Sequence, residues 1–272
     1  MTHLRLPSAD EAASAADGFR SAAPFPHVVW HDLIDLEPAA VAAAFPAPDH
    51  PCWRHYEDDY QPGKRICSDV EAMPDLLASL VHELNSPRAL EALEALTGIG
   101  QLIPDPHLEG GGLHASGPGG ILTPHTDFHI YARLGLYRRI NLILYLSDGW
   151  NPDERGGALE LYVPGAAEPT STVAPTFGTC VVFQTDDRSP HGFAVPVPAG
   201  HERRSIALYY YTAEEAEGFS GDTNTYWQTH GEARGTARIR LGAYRALLFG
   251  SRSLSWLAHR ANPRLGSRVR AR

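Results

Sequence analysis

Lysine is almost missing from this chain: Lys64 stands alone among 272 residues. A single lysine outside any glycine-rich phosphate loop argues against P-loop nucleotide chemistry, and it would have to serve unaided in a Schiff-base enzyme. Cysteine is scarce as well. Cys52, Cys67 and Cys180 are odd in number and show no zinc-type pairing, so they suggest neither a disulfide framework nor a structural zinc. No apolar run approaches the roughly 18 residues that span a membrane. Residues 1–18 also lack the uninterrupted hydrophobic segment of a secretory signal, and a cytoplasmic protein without a transmembrane segment is expected. What is present is 43% hydrophobic and 20% charged, the balance of a soluble globular protein. A chain of this length forms one large domain, and an all-β barrel need not be split.

Proline and serine mark helix starts in the N-terminal part. Residues 37–45, 73–85 and 86–96 read as helices, the last with Ser86 as its cap. A strand-rich middle follows, punctuated by Pro118-Gly119 and Pro164-Gly165, with strands expected over 139–146 (RINLILYL), 179–183 (TCVVF) and 203–211 (RRSIALYYY) and a longer rim loop over 148–157. Within it lies His125-Thr126-Asp127. Residues i and i+2 of a strand share a face, so His125 and Asp127 reach one metal while Thr126 points away. His191, 64 positions after Asp127, completes a 2-His-1-carboxylate set. Such a set leaves three octahedral positions open, as non-heme Fe(II) sites do. Arg203 and Ser205 are again i and i+2, placing a guanidinium suited to bidentate carboxylate capture beside a hydroxyl. Tyr145 offers a further hydrogen bond, with Asn141 on its face; Arg204 competes with Arg203 for the role.

The series Gly110-Gly111-Gly112-Leu113-His114, Gly119-Gly120-Ile121-Leu122, His125-Thr126-Asp127-Phe128, RINLILYL, GGALELY over 156–162, His191 and RRSIALYYY resembles the prolyl 4-hydroxylase-like branch of the Fe(II)/2-oxoglutarate-dependent dioxygenases. The likeness spans about residues 20 to 216. It implies a mainly β fold with flanking helices: a double-stranded β-helix (jelly-roll, cupin-like) barrel behind N-terminal supporting helices. It also implies iron ligation by His125, Asp127 and His191, and contact with the 2-oxoglutarate distal carboxylate by Arg203, with Ser205, Tyr145 and Asn141 assisting. Collagen-type members carry lysine where Arg203 stands; other branches carry arginine. Halogenating relatives have a small residue in place of Asp127, so the carboxylate argues against halogenation. The implied reaction consumes 2-oxoglutarate and O2, with ascorbate as a stimulant, releases succinate and CO2, and hydroxylates an unactivated C–H bond. Desaturation and ring closure begin from the same hydrogen abstraction. Because imidazole ligands must be neutral, activity is expected to fall below about pH 6.

The candidate substrate contacts are His114 and Ser116, alternating on the strand before the metal pair, with Phe128, His129, Tyr131 and Trp150. Small molecules, sugars, amino-acid-derived compounds and carrier- or peptide-bound groups all remain open as substrates. Two other classes stay in view: a cupin-like metal enzyme that does not use 2-oxoglutarate, and a non-catalytic binding module on the same barrel. After Glu232 there are ten arginines and no acidic residue, giving the tail +10 against −19 for the rest of the chain. The division expected is a catalytic unit over 1–232 and an arginine-rich helical extension over 233–272. Apolar residues at Ile239, Leu241, Leu248, Leu254 and Leu257 suggest one or two amphipathic helices around Gly250. Such a tail would dock on the acidic body, make a homodimer contact, or meet an anionic surface or carrier. Nucleic acid is not expected, because the body's charge repels phosphates.

Overall fold

In the computed structural model, residues 2–215 are described apart from 57, 152, 154 and 155, together with 225–227 and scattered positions between 243 and 257. Side-chain caps set the helix starts. Ser8 and Glu11 form a reciprocal capping box ahead of α1 (Ala9–Ser14), which leads into α2 (Ala16–Ser21). Neither of these short helices was expected from the sequence. The other three were: α3 (Pro38–Ala44), α4 (Asp75–Leu84) and α5 (Pro87–Thr97). Ser86 accepts the Ala89 N–H at 3.3 Å and Gly98 closes α5 at φ 72°.

Two antiparallel sheets follow. The larger runs β1 (His27–Trp30), β11 (Cys180–Gln184), β8 (Leu136–Tyr145), β13 (Arg203–Thr212), β5 (Gly112–Ser116), β3 (Lys64–Cys67) and β2 (Arg54–Tyr56). Short strands β4 (Ile103–Pro104) and β7 (Ile130–Tyr131) pair with β13 and β8. The smaller sheet runs β10 (Ser171–Val173), β9 (Leu159–Leu161), β12 (His191–Phe193), β6 (Leu122–Thr126) and β14 (Tyr226–Trp227). From β5 onward the chain passes repeatedly from one sheet to the other, which makes the body a double-stranded β-helix with its helices on one side. Strand β8 starts three residues earlier than the pattern suggested, and the rim loop over 148–157 carries no strand among its described residues.

The two-residue period of a strand divides the larger sheet into two working faces. Leu142, Leu144, Ile206, Leu208, Leu113, Ala115 and Val182 point outward into one cluster with Leu77, Leu80, Leu84, Leu93 and Leu96 of α4 and α5. Tyr210 joins them, its hydroxyl donating to the Leu84 carbonyl at 2.9 Å. The intervening residues Ile143, Tyr145, Val181 and Phe183 point inward against Leu159, Leu161 and Val173 of the smaller sheet. Gly112 is required where β5 enters between β3 and β13: at φ +105°, an added Cβ would stand 2.1 Å from the Cys67 carbonyl oxygen.

No helix among the described residues is long and apolar enough to cross a membrane. The tail helices expected over 237–260 lie largely outside the described residues. Leu247, Phe249, Leu254 and Leu257, which are described, are helical and exposed.

Candidate metal centre

His125 on β6 and His191 at the start of β12 are cross-strand partners, and their ring centroids are 4.6 Å apart. The approach depends on Gly192, where a Cβ would lie 2.6 Å from the Leu122 carbonyl oxygen, at the irregularity that follows His191. One expectation is corrected here: β6 ends at Thr126, so Asp127 is not the i+2 residue of a continuing strand but the first residue beyond it. Its carboxylate is brought to the imidazoles from outside the ladder. Asn141 Nδ2 donates to Oδ2 at 2.7 Å, and the Arg138 guanidinium lies 3.1 Å from the same oxygen.

The three groups offer ligand atoms within 4.8 Å of one another, and all three residues are buried. His125 Nε2 is 3.6 Å from Asp127 Oδ1, and His191 Nε2 is 3.5 Å from Oδ2. Each imidazole is also oriented from behind. Nδ1 of His125 meets the Thr123 carbonyl at 2.9 Å and Nδ1 of His191 meets the Ser189 carbonyl at 3.0 Å. A carbonyl only accepts, so both Nδ1 atoms carry the proton and both Nε2 lone pairs face the carboxylate. Two neutral imidazoles and a carboxylate in this disposition fit a divalent transition metal with open positions.

Electrostatics keeps the set in its ligating form. Burial alone would raise the Asp127 pKa, but the Arg138 guanidinium holds it well below the usual carboxylate range. Burial lowers His191 to about 4, partly opposed by Asp127. His191 therefore sets no acid limit above about pH 4, lower than the pH 6 expected from an unperturbed imidazole. The sign of the stability effect follows. Below pH 6.5 an unfolded chain protonates His191 while the folded chain does not, so metal-free stability is complete above about 6.5 and falls as the pH drops towards about 4. The loss approaches roughly 3 kcal/mol at one pKa unit per 1.4 kcal/mol. Urea unfolding of metal-free protein between pH 7 and 4.5 should show this slope, and His191→Asn should flatten it. A wild-type profile flat over that window would contradict the assignment.

Arg138 is the functional residue that the sequence reading missed. It is 1% exposed, donates from Nε to Asn141 Oδ1 at 2.8 Å, and lies over the rings of Tyr209 and Phe128. Its signal was an arginine pair opening an otherwise apolar strand. A register shift at Tyr210/Tyr211 then turns Arg138 inward. Asn141, expected to assist with the co-substrate, is instead engaged by Asp127 and Arg138.

Across the barrel, Arg203 points inward and Arg204 outward, which separates the two candidates. Arg203 is 6% exposed, donates from Nε to the Gly157 carbonyl at 2.8 Å and from Nη2 to the Tyr145 hydroxyl at 2.9 Å, and lies 4.4 Å from the Phe193 ring centroid. Tyr145 accepts that bond, so its own O–H proton remains available to a ligand. Ser205 sits opposite Tyr145 on the same inward face. Arg204 pairs with Glu202 and covers Phe45. A rigid guanidinium beside a phenol and a hydroxyl, facing a 2-His-1-carboxylate set, matches the demands of a dicarboxylate co-substrate next to a metal.

Residues 111–211 match the family model described as the 2OG-Fe(II) oxygenase superfamily. This segment is similar to a 2OG-Fe(II) oxygenase domain. The family carries Fe(II) and 2-oxoglutarate in its name, and the matched segment includes the His-Asp-His cluster, Tyr145, Arg203 and Ser205. Among solved structures, a Pseudomonas putida prolyl-4-hydroxylase is 20% identical at a TM-score of 0.49, covering 74% of this chain and 98% of its own. A Trichoplax adhaerens prolyl hydroxylase, solved with a hypoxia inducible factor peptide fragment, is 16% identical at 0.49, covering 75% and 88%. HygX from Streptomyces hygroscopicus, solved with nickel, 2-oxoglutarate and hygromycin B, is 16% identical at 0.45, covering 70% and 84%.

The barrel distributes the expected substrate contacts unevenly. His114 and Ser116 lie on the inward face of β5, opposite Ser205 and Arg203. Burial and the nearby Lys64 and Arg203 charges hold His114 well below its ordinary pKa, so it is neutral. Phe128 lies against Arg138. The remaining three are placed elsewhere. His129 lies 3.4 Å from Asp187 and is not among the residues converging on the metal cluster. Tyr131 packs on Tyr211, and Trp150 packs with Phe193, Val197 and His201. Trp227 had no spacing signal in the sequence, yet β14 sets it opposite His125 with ring centroids 4.8 Å apart. Tyr60 stacks on Trp227 at 5.0 Å.

Proposed function

We propose that the chain is an Fe(II)- and 2-oxoglutarate-dependent hydroxylase acting on an unactivated C–H bond of a small-molecule, sugar or amino-acid-derived substrate. The observation that carries this reading is the convergence of His125, Asp127 and His191 with both Nδ1 atoms tied to backbone carbonyls, which leaves both Nε2 atoms directed at the carboxylate. In this reading His125, Asp127 and His191 hold the iron. Arg203, Tyr145 and Ser205 hold the distal carboxylate of 2-oxoglutarate, and Asn141 and Arg138 hold Asp127 in place. Iron, 2-oxoglutarate and O2 supply the oxidising chemistry; the protein supplies orientation and a dry site. Phe183, edge-on to His191, and Trp227, against His125, shield the imidazoles.

The catalytic unit runs through about residue 232, consistent with β14 completing the smaller sheet beyond the matched segment. The arginine-rich remainder is a separate extension.

The test is succinate formation and O2 uptake by anaerobically prepared protein given Fe(II), 2-oxoglutarate and ascorbate, with pooled metabolites as substrates. Turnover that requires iron and 2-oxoglutarate is the expected result. If the two fail even to produce their charge-transfer absorption on the protein, the proposal is lost.

A further inference from the structure

Lys64 has no role in the chemistry described so far, yet it is the only lysine in the chain and it faces the site. In the ladder, Lys64 pairs with Ser116 and Ser116 with Arg203, so these three side chains share the inward face of β3, β5 and β13. The charges felt by its ammonium are Asp127, Arg203, Asp58 and Arg138. Among the described residues no carboxylate lies within ion-pair distance of it, and its one hydrogen bond goes to Gln61 Oε1 at 3.1 Å.

The contrast with the other two cations is informative. Arg138 has Asp127 and Asn141 as fixed partners, and Arg203 has Gly157 and Tyr145. Lys64 has only a neutral amide and the face of the Tyr56 ring, 6.0 Å from its ammonium. Lys64 is half-buried, and a partly desolvated cation without an ion-pair partner is poised to take one from a ligand. Burial lowers it to about 8, which still leaves it mainly cationic at neutral pH. Three cations thus share this interior with the Asp127 carboxylate, while Asp58 lies at the exposed edge. Loading a divalent metal and a dicarboxylate adds equal and opposite charge, so the cationic excess persists.

We propose that Lys64 binds the anionic group, a carboxylate or a phosphate, of the substrate that the oxygenase domain oxidises. This rests on the function proposed above and names the substrate class for the same site. The loop before Lys64 supports it: the Tyr60 carbonyl accepts the Thr123 N–H at 2.8 Å, and the Tyr60 ring stacks on Trp227, which lies against His125. That aromatic series runs from the loop before Lys64 to the metal ligands, so a substrate anchored at Lys64 has an apolar surface along which to reach the centre.

The lone lysine also provides its own reporter. Protein grown with ε-13C-lysine gives one side-chain signal, followed here in the full chain with Zn(II) as a diamagnetic substitute for iron. Saturating 2-oxoglutarate should move that signal little. N-benzoylglycine or phenyl phosphate added next should move it in a saturable way, whereas N-benzoylglycinamide and phenol should not. Whichever anion saturates at lower concentration identifies carboxylate or phosphate as the recognised group. Calorimetry on Lys64→Met should show affinity for that anion reduced by about tenfold or more, the effect of one charge-assisted hydrogen bond. In the same variant, 2-oxoglutarate affinity should stay within about twofold, well under the tenfold that 1.4 kcal/mol represents. If the signal instead follows 2-oxoglutarate and ignores the anions, Lys64 belongs to the co-substrate clamp and the proposal is overturned. It is equally overturned if neither anion moves the signal while 2-oxoglutarate binds normally. Absence of 2-oxoglutarate binding in the unmodified protein would instead remove the functional reading beneath it.

Discussion

Asp127→Ala loses Fe(II) binding and, in the metal-free protein, about 3–5 kcal/mol of folding stability as well, because the substitution leaves a buried guanidinium without its counter-ion. Arg138 is 1% exposed, and Asp127 is its only ion-pair partner among the described residues. The second substitution, Arg138→Met, separates the two effects. Alone, it leaves Asp127 with the Asn141 hydrogen bond but raises and loosens the carboxylate, so iron affinity falls by about 10- to 100-fold, as for other groups that orient a metal ligand. Combined with Asp127→Ala, it removes the stranded charge. The double variant should therefore recover much of the stability while still failing to bind iron. Urea unfolding and anaerobic iron titration measure the two quantities, and the coupling energy comes from the cycle. A stability loss under about 1 kcal/mol in Asp127→Ala would show that the pair is solvated. Iron binding by the double variant would remove Asp127 from the ligand set.

Arg203→Ala has the next largest effect. It should weaken 2-oxoglutarate binding by about 30-fold or more, because truncating one partner of a buried charge pair costs roughly 2–5 kcal/mol. Iron binding should be nearly unchanged, since none of the Arg203 partners is a metal ligand. Arg204→Ala is the control and should leave 2-oxoglutarate affinity unaltered, as Arg204 is occupied with Glu202 on the outer surface. Anaerobic titration of the iron–2-oxoglutarate charge-transfer absorption reads all three proteins. This series also separates the rival classes. A cupin-like enzyme that does not use 2-oxoglutarate would show no such absorption in any of them, and equal losses in the two arginine variants would place the clamp elsewhere.

Local pattern determined much of this protein. Alternation in RINLILYL and RRSIALYYY marked the strands β8 and β13, Pro-led segments marked α3 to α5, and the order of glycine, histidine and arginine motifs marked the family. These properties belong to short windows, where strand period, caps and motif spacing act without reference to distant residues. Other features depended on contacts between distant segments. A two-residue alternation told that Arg203 and Arg204 face opposite ways; only the sheet-on-sheet arrangement told which face was inside. Asp127 does join His125, as the i, i+2 spacing suggested, but it lies one residue past the end of β6 and two side chains from β8 hold its carboxylate. Arg138 was concealed by a register irregularity that no alternation rule anticipates. Trp227 reaches the site through its pairing with His125, far back in the chain, and Lys64 through a three-strand row, and neither pairing leaves a local mark. Sequence periodicity encodes what a residue does relative to its neighbours in the chain, whereas burial, charge pairing and metal geometry are properties of which strands lie side by side.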